Sequence, residues 1–193
     1  QSETLGLALR ATQLDPIDSR AHLCLAWAYG YNEQYEQALA HFDLACDLND
    51  HDPWTLLSAA QGYAFLGDLE RAKVLSDRAR RRSLQLGPSQ WAYFAGIEFM
   101  RADYPQALEA ARRAGDGLLN NGAWRAAALY GLGERAAVAR EARACLDLIR
   151  SSWIGPDPPT DERIVAWVLQ IFPIRHPADR ERLRRSLLAA AAP

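Results

Sequence analysis

Apolar and polar residues alternate with helical periodicity through residues 19–48, and a polar break at residues 32–34 divides this stretch into two halves. Apolar residues recur at i, i+1 and i+4 in the first half and at i, i+4 and i+7 in the second, which is the spacing of one helix face. These positions are Leu25, Ala26 and Tyr29, followed by Ala38, Phe42 and Ala45. The stretch therefore predicts two amphipathic helices, the second folded back on the first.

The same skeleton returns 34 residues further along the chain. The matching pairs are Ala26 with Ala60, Tyr29 with Tyr63, Ala38 with Ala72 and Ala45 with Ala79, while Phe42 corresponds to Ser76, the weakest match. A fixed period of this length is typical of helical repeat arrays, in which each helix pair buries its apolar face only against its neighbours. We therefore predict an all-α, elongated domain of antiparallel helix pairs.

Helix-breaking segments suggest the domain organisation. We predict a repeat array over residues 1–152, comprising a partial repeat at 1–16, repeats at about 19–52, 53–87 and 88–118, and a degenerate pair at 119–152. Residues 155–159 form an extended, proline-rich connection that is hostile to helices. We interpret residues 153–193, which include this connection, as a segment whose helices cap the open end of the stack.

The start of the chain also carries information. Residues 2–14 have the pattern of the second helix of a repeat whose first helix is missing, and the sequence starts at Gln1 instead of a methionine. We therefore expect this chain to be a fragment of a longer protein, with further sequence upstream.

Composition and charge exclude several classes of function. A formal net charge of −2 and a pI near 6.1 lack the basic footprint of a nucleic-acid-binding protein. The sequence contains no apolar run of about 18 residues and no secretory leader, so we expect no membrane association. Three cysteines leave one unpaired in any bridging scheme, which favours a reducing, cytoplasmic location. Because 21 of the 22 basic residues are arginine, a GC-rich bacterial source is indicated.

Candidate catalytic and metal-binding residues do not form a recognisable motif. The four histidines, His22, His41, His51 and His176, share no ligand spacing with one another or with the cysteines. The sequence has neither HExxH nor GxSxG, and its glycines do not form a phosphate-binding loop. We therefore predict a protein that is not an enzyme and that uses no metal and no cofactor.

Two arginine-rich runs are interpreted as solvated helix surface. The first spans residues 78–82, near the end of a predicted second helix, where positive charge interacts favourably with the helix dipole. The second comprises Arg182, Arg184 and Arg185 in the last predicted helix. Net charge gives no support to a phosphate or nucleic-acid site at either run.

Several small and aromatic positions recur together in register, and they resemble the tetratricopeptide repeat (TPR) family over residues 2–150. The positions are Trp91 at position four, Tyr29 and Tyr63 at position 11, and small residues at positions eight, 20 and 27. The resemblance implies a right-handed superhelix with a concave surface, built by the first helix of each pair, that binds a protein or peptide. Residues 49–54 and the tail after residue 171 also resemble carboxy-terminal TPR regions of bacterial cyclase-type signalling proteins and winged-helix transcriptional regulators.

The resemblance also implies which residues line the concave groove. Carried over position by position, they are Leu23, Trp27, Tyr31, Trp54, Leu57, Gln61, Phe65, Tyr93, Phe99 and Trp124. Family members that clamp a carboxylate use lysine, asparagine and arginine where this chain has Leu23, Trp27, Ser58, Ser89 and Tyr93. An aromatic groove instead suits an apolar or amphipathic helix or an extended peptide. Two alternatives stay open: residues 153–192 fill the groove from within, or the module forms a homodimer or packs on its own upstream domain.

Overall fold

The computed structural model describes residues 2–189, and within that range every regular element is an α-helix. The helices are α1 (Ser2–Leu14), α2 (Ser19–Tyr31), α3 (Tyr35–Leu48), α4 (Pro53–Leu66), α5 (Leu69–Arg82), α6 (Pro88–Met100), α7 (Tyr104–Ala114), α8 (Asn121–Gly131), α9 (Arg135–Ser151), α10 (Asp161–Ile171) and α11 (Pro177–Leu188). The prediction of an all-helical repeat fold is confirmed. None of these helices combines the length and apolarity that crossing a membrane requires.

The chain divides into two compact units, one ending at Leu86 and the other beginning at Gly87. In the first unit α2 packs on α3, α4 packs on α5, and α1 lies against α2. In the second unit α6 packs on α7 and α8 on α9, while α10 and α11 pack on α9, and α11 also on α8. Because the helices of each pair are joined by only two or three residues, they run antiparallel.

One turn geometry recurs in all four helix pairs. Each turn within a pair contains one residue with positive φ: Glu33 at 60°, Gly67 at 98°, Ala102 at 59° and Gly133 at 78°. In each turn the next amide bonds to the carbonyl oxygen five residues earlier, as Gln34 N does to Tyr29 O at 3.0 Å. This hydrogen bond belongs to the Schellman motif, which ends a helix by placing one residue in the left-handed conformation. The turns therefore mark the repeat in the backbone itself.

Small residues allow close approach of α3 and α4 in the first unit. A Cβ atom added at Gly62 of α4 would overlap the ring of Phe42 on α3. Phe42 is 1% exposed, and Ala38 and Ala45 on the same face of α3 are fully buried. The packing of these two helices thus depends on a ring that sits where α4 has no side chain.

The turn geometry predicts opposite effects for two alanine-to-glycine substitutions in the second unit. Ala102→Gly should stabilise the protein by about 0.5–1 kcal/mol, because glycine lacks the Cβ that penalises the left-handed conformation. Ala144→Gly is the matched control, since Ala144 is also exposed but lies inside α9; it should destabilise by about 1 kcal/mol. Urea unfolding followed by circular dichroism measures both, and changes of the same sign would contradict the prediction.

Candidate binding site

The accessible surface of α2 lies along one side of the helix. Arg20 and Cys24 are exposed, and Trp27 and Tyr31 are partly exposed. Their spacing of i, i+4, i+7 and i+11 places them in one row, which we call the α2 stripe. Apart from Tyr29, the other side chains of α2 are buried. The α2 stripe is therefore the main accessible row of this helix.

Trp27 is the best-supported side chain of the α2 stripe. Its indole Nε1 donates a 2.9 Å hydrogen bond to Oγ of Ser58 on α4. The edge-on rings of Phe42 and Phe65 lie 5.4 Å and 6.1 Å from the indole, and Tyr31 lies 6.2 Å away. These contacts hold the ring in one orientation while part of its surface stays accessible. A preformed aromatic surface loses little conformational entropy when a ligand binds to it.

A second row on α4 faces the same region. Trp54, Ser58, Gln61 and Phe65 follow the spacing i, i+4, i+7 and i+11, and Ser58 is the partner of Trp27. Trp54, at the first turn of α4, is 36% exposed, whereas Phe65 is 1% exposed. Accessible aromatic surface on α4 is therefore concentrated at the N-terminal end of that helix.

The predicted groove residues of the first unit fall into two groups. Those that keep accessible surface are Trp27, Tyr31 and Trp54. Those that are buried are Leu23, Leu57, Gln61 and Phe65. The buried group already uses its surface in packing within the first unit, so it offers little contact area to a ligand.

In the second unit the C-terminal segment covers two of the predicted groove residues. Phe99 is fully buried and Trp124 is 2% exposed. Their rings lie 5.6 Å apart, and Phe172, which follows α10, lies 4.4 Å from Trp124. Tyr93 is partly exposed. Residues of the C-terminal segment therefore cover the predicted groove face at Phe99 and Trp124. This is the arrangement of the alternative in which that segment fills the groove from within.

The interpretation of Arg182 as solvated surface is wrong. Its guanidinium lies 4.6 Å from the centre of the Phe99 ring and donates to the Tyr104 hydroxyl at 3.2 Å and to the Phe99 carbonyl at 3.4 Å. An ion pair of 3.0 Å with Asp179 orients it. A guanidinium stacks well on an aromatic face, but the sequence carries no local signal of a ring 83 residues away. Arg182 thus connects α11 to Phe99 on α6 and Tyr104 on α7, within the second unit.

Burial suppresses the reactivity of two of the three cysteines. Desolvation raises the pKa of the Cys145 thiol to about 12 and that of the Cys46 thiol to about 11. Both thiols therefore stay protonated at neutral pH and are weak nucleophiles. Cys24, in the α2 stripe, is exposed. Among residues 2–189, no three side chains of the types that bind metals converge on a common point.

Sequence spacing did not reveal that His22 and His41 meet. Nδ1 of His22 on α2 lies 3.0 Å from Nδ1 of His41 on α3. Antiparallel packing of α2 on α3 brings the two rings together. Equal counting from the ends of the α2–α3 turn would not have found the pair, because His22 and His41 stand at different distances from it.

A cleft of about 850 Å³ lies in the second unit. It is lined mainly by α9, including Arg135 and Val138, together with Tyr130 and Ala189. Its walls are mostly small and apolar.

A family model described as tetratricopeptide repeat matches residues 7–40. The matched segment covers the end of α1, all of α2 with its stripe, and the start of α3. No curated protein matches the chain. The match and the helix pairs together support a TPR-like helical-repeat fold, and this kind of repeat suggests a scaffold for protein–protein interaction.

The Trp27–Ser58 hydrogen bond predicts an energetic coupling between α2 and α4. Ser58→Ala should destabilise the protein by about 1 kcal/mol, because the indole N–H of Trp27 loses its acceptor. In a double-mutant cycle with Trp27→Phe, the coupling energy should be about 0.5–1.5 kcal/mol, measured by urea unfolding. Strictly additive effects of the two substitutions would show that the bond contributes nothing.

Proposed function

We propose that this chain is a non-catalytic scaffold or regulatory module that binds a peptide or helix of another protein on the aromatic surface formed by Trp27, Tyr31 and Trp54. The TPR-type fold supports the class of function. The observation that carries the proposal is Trp27, which is held by Ser58, Phe42 and Phe65 and still keeps accessible surface. In the second unit, Tyr93 is the corresponding candidate for ligand contact.

The chemistry of the surface favours an apolar or amphipathic partner. Arg20 is the one charged member of the α2 stripe, and α4 has no Asp, Glu, Lys or Arg. Affinity would come from burial of apolar area, at roughly 25 cal/mol per Å² before the costs of association are subtracted. Phe65 supports the Trp27 ring in the first unit, while Leu23, Leu57 and Gln61 are buried there, and Phe99 and Trp124 pack on each other in the second unit.

The setting we propose is a larger bacterial signalling protein in the cytoplasm. The resemblance of residues 49–54 and of the C-terminal tail to signalling cyclases and winged-helix regulators supports the first part. The three cysteines are unbridged, which agrees with a reducing compartment. In such a protein, occupation of the α2 stripe would be passed on to an output domain.

The groove proposal predicts a specific loss of affinity. Peptides selected from a displayed random library on the immobilised chain provide the probe, and their binding is measured by fluorescence anisotropy. Trp27→Ala should weaken binding by more than about fivefold, which corresponds to about 1 kcal/mol. Trp153→Ala is the matched control, because Trp153 is partly exposed but lies outside the predicted groove; it should leave affinity unchanged. Equal affinities of the two variants for the peptide would contradict the groove assignment.

Alkylation of Cys24 locates the bound peptide independently of affinity. Cys24 is exposed in the α2 stripe, one turn before Trp27. A saturating peptide should slow its reaction with iodoacetamide by about fivefold or more, because the thiol becomes covered. Because the thiols of Cys46 and Cys145 stay protonated at neutral pH, the alkylation that is measured is that of Cys24. If the peptide leaves the alkylation rate of Cys24 unchanged, it binds elsewhere on the protein.

The second candidate function is self-association, and exposed apolar residues of the first unit favour it. Leu7 and Leu14 of α1 are 64% and 79% exposed, and Ile17 after the helix is 77% exposed. Light scattering between about 5 and 500 µM tests this alternative, since a dimer gains mass with concentration. Leu14→Asp should abolish that gain, whereas Leu84→Asp, at a fully exposed leucine outside α1, should not. A constant monomer mass would exclude this candidate.

A further inference from the structure

A pair of histidines joins three elements of the first unit. The rings of His22 on α2 and His41 on α3 are stacked, with centroids 5.2 Å apart and planes 13° from parallel. Nε2 of His22 lies 3.0 Å from the carbonyl oxygen of Pro16, in the loop between α1 and α2. Tyr29 of α2 stacks on His41 at 5.5 Å. The pair therefore connects the α1–α2 loop, α2 and α3.

These contacts determine where protons can sit. The Pro16 carbonyl only accepts, so Nε2 of His22 carries a proton and donates it. In a neutral pair, Nδ1 of His22 is then an acceptor, and Nδ1 of His41 donates to it across the 3.0 Å contact. One extra proton is tolerated, because charged His22 can donate from Nδ1 to a neutral His41. A second extra proton leaves an N–H donor on each Nδ1 atom, so that two donors and two positive charges face each other across the contact.

We propose that the His22–His41 pair is an acid-sensitive contact, which holds the α1–α2 loop and α3 against α2 at neutral pH and loosens them when both rings are protonated. His22 is 5% exposed, so water screens the repulsion between the two charges poorly. Because Phe42 follows His41 on α3 and packs on Trp27, the loosening reaches the α2 stripe.

Several carboxylates of the surrounding elements are engaged elsewhere. Asp15 accepts from the amide of Ile17, and Asp18 accepts from the amide of Arg20. Asp43 on α3 binds the hydroxyl of Tyr63 on α4 and the guanidinium of Arg71 on α5. The other charged groups on α1, α2 and α3 are Glu3, Arg10, Arg20, Glu36 and Asp47. The charge that acts on His41 most directly is that of His22 itself.

The direction of the pH effect follows from the protons bound in each state. Burial, and secondly the neighbouring His22, lower the pKa of His41 below its ordinary value of 6.5. Around and below pH 6.5, His41 therefore binds more protons in the unfolded state than in the folded state. The contribution of His41 to the free energy of unfolding is complete above this pH and decreases as the pH falls below it.

The test compares urea midpoints at about pH 7.5 and about pH 5.0, which bracket histidine titration. His41→Asn keeps an N–H donor near the position of Nδ1 but does not titrate, so its midpoint should fall by less than about half as much as that of the wild type. His176→Asn is the matched control, because His176 is an exposed N-cap of α11. It should show the wild-type loss.

Imidazole NMR of the wild-type protein tests the pair without any substitution. At about pH 8, His22 should be the Nε2–H tautomer and His41 the Nδ1–H tautomer, and the hydrogen bond between their Nδ1 atoms should be lost on acidification. The pKa of His41 should lie below 6.5. The opposite tautomer at either ring, or a His41 pKa at or above 6.5, would overturn the proposal. An unchanged midpoint loss in His41→Asn would also overturn it.

Discussion

The packing of Phe42 against Gly62 is the contact on which the first unit depends. The ring occupies space that any side chain at position 62 would fill, and it is 1% exposed. Around it lie Trp27 at 5.4 Å and Tyr63 at 5.9 Å, so α2, α3 and α4 converge on one aromatic side chain. Interiors are packed densely enough that a change of one methylene is felt. The accessible face of Trp27 is therefore a property of the core beneath it.

The two units use their aromatic residues differently. In the first unit, Trp27 is supported from below and keeps accessible surface. In the second, Trp124 is covered by Phe172, and Phe99 is covered by the guanidinium of Arg182. The end of a helical array has an apolar face with no following repeat, and burying it against appended helices removes that area from water. The same kind of residue thus keeps accessible surface in one unit and is covered by the C-terminal segment in the other.

Local rules account for the parts of the fold that were predictable. Helical periodicity and the 34-residue period identified the helix pairs, and the polar break at 32–34 located a turn, because these signals lie within a few residues of the feature they specify. The left-handed residue in that turn is Glu33 and its counterpart in the third pair is Ala102. Neither residue type favours positive φ, so only the equivalence to Gly67 and Gly133 reveals the shared geometry.

The sequence by itself determined an all-helical repeat protein with aromatic residues along the first helix of each pair. Only the tertiary structure decided which of those residues keep accessible surface. Trp27 is oriented by Ser58, 31 residues away, and Phe99 is covered by Arg182, 83 residues away. The meeting of His22 and His41 likewise depends on how two helices pack. The physical reason is that periodicity specifies which face of a helix is buried, whereas burial of one side chain depends on partners distant in sequence.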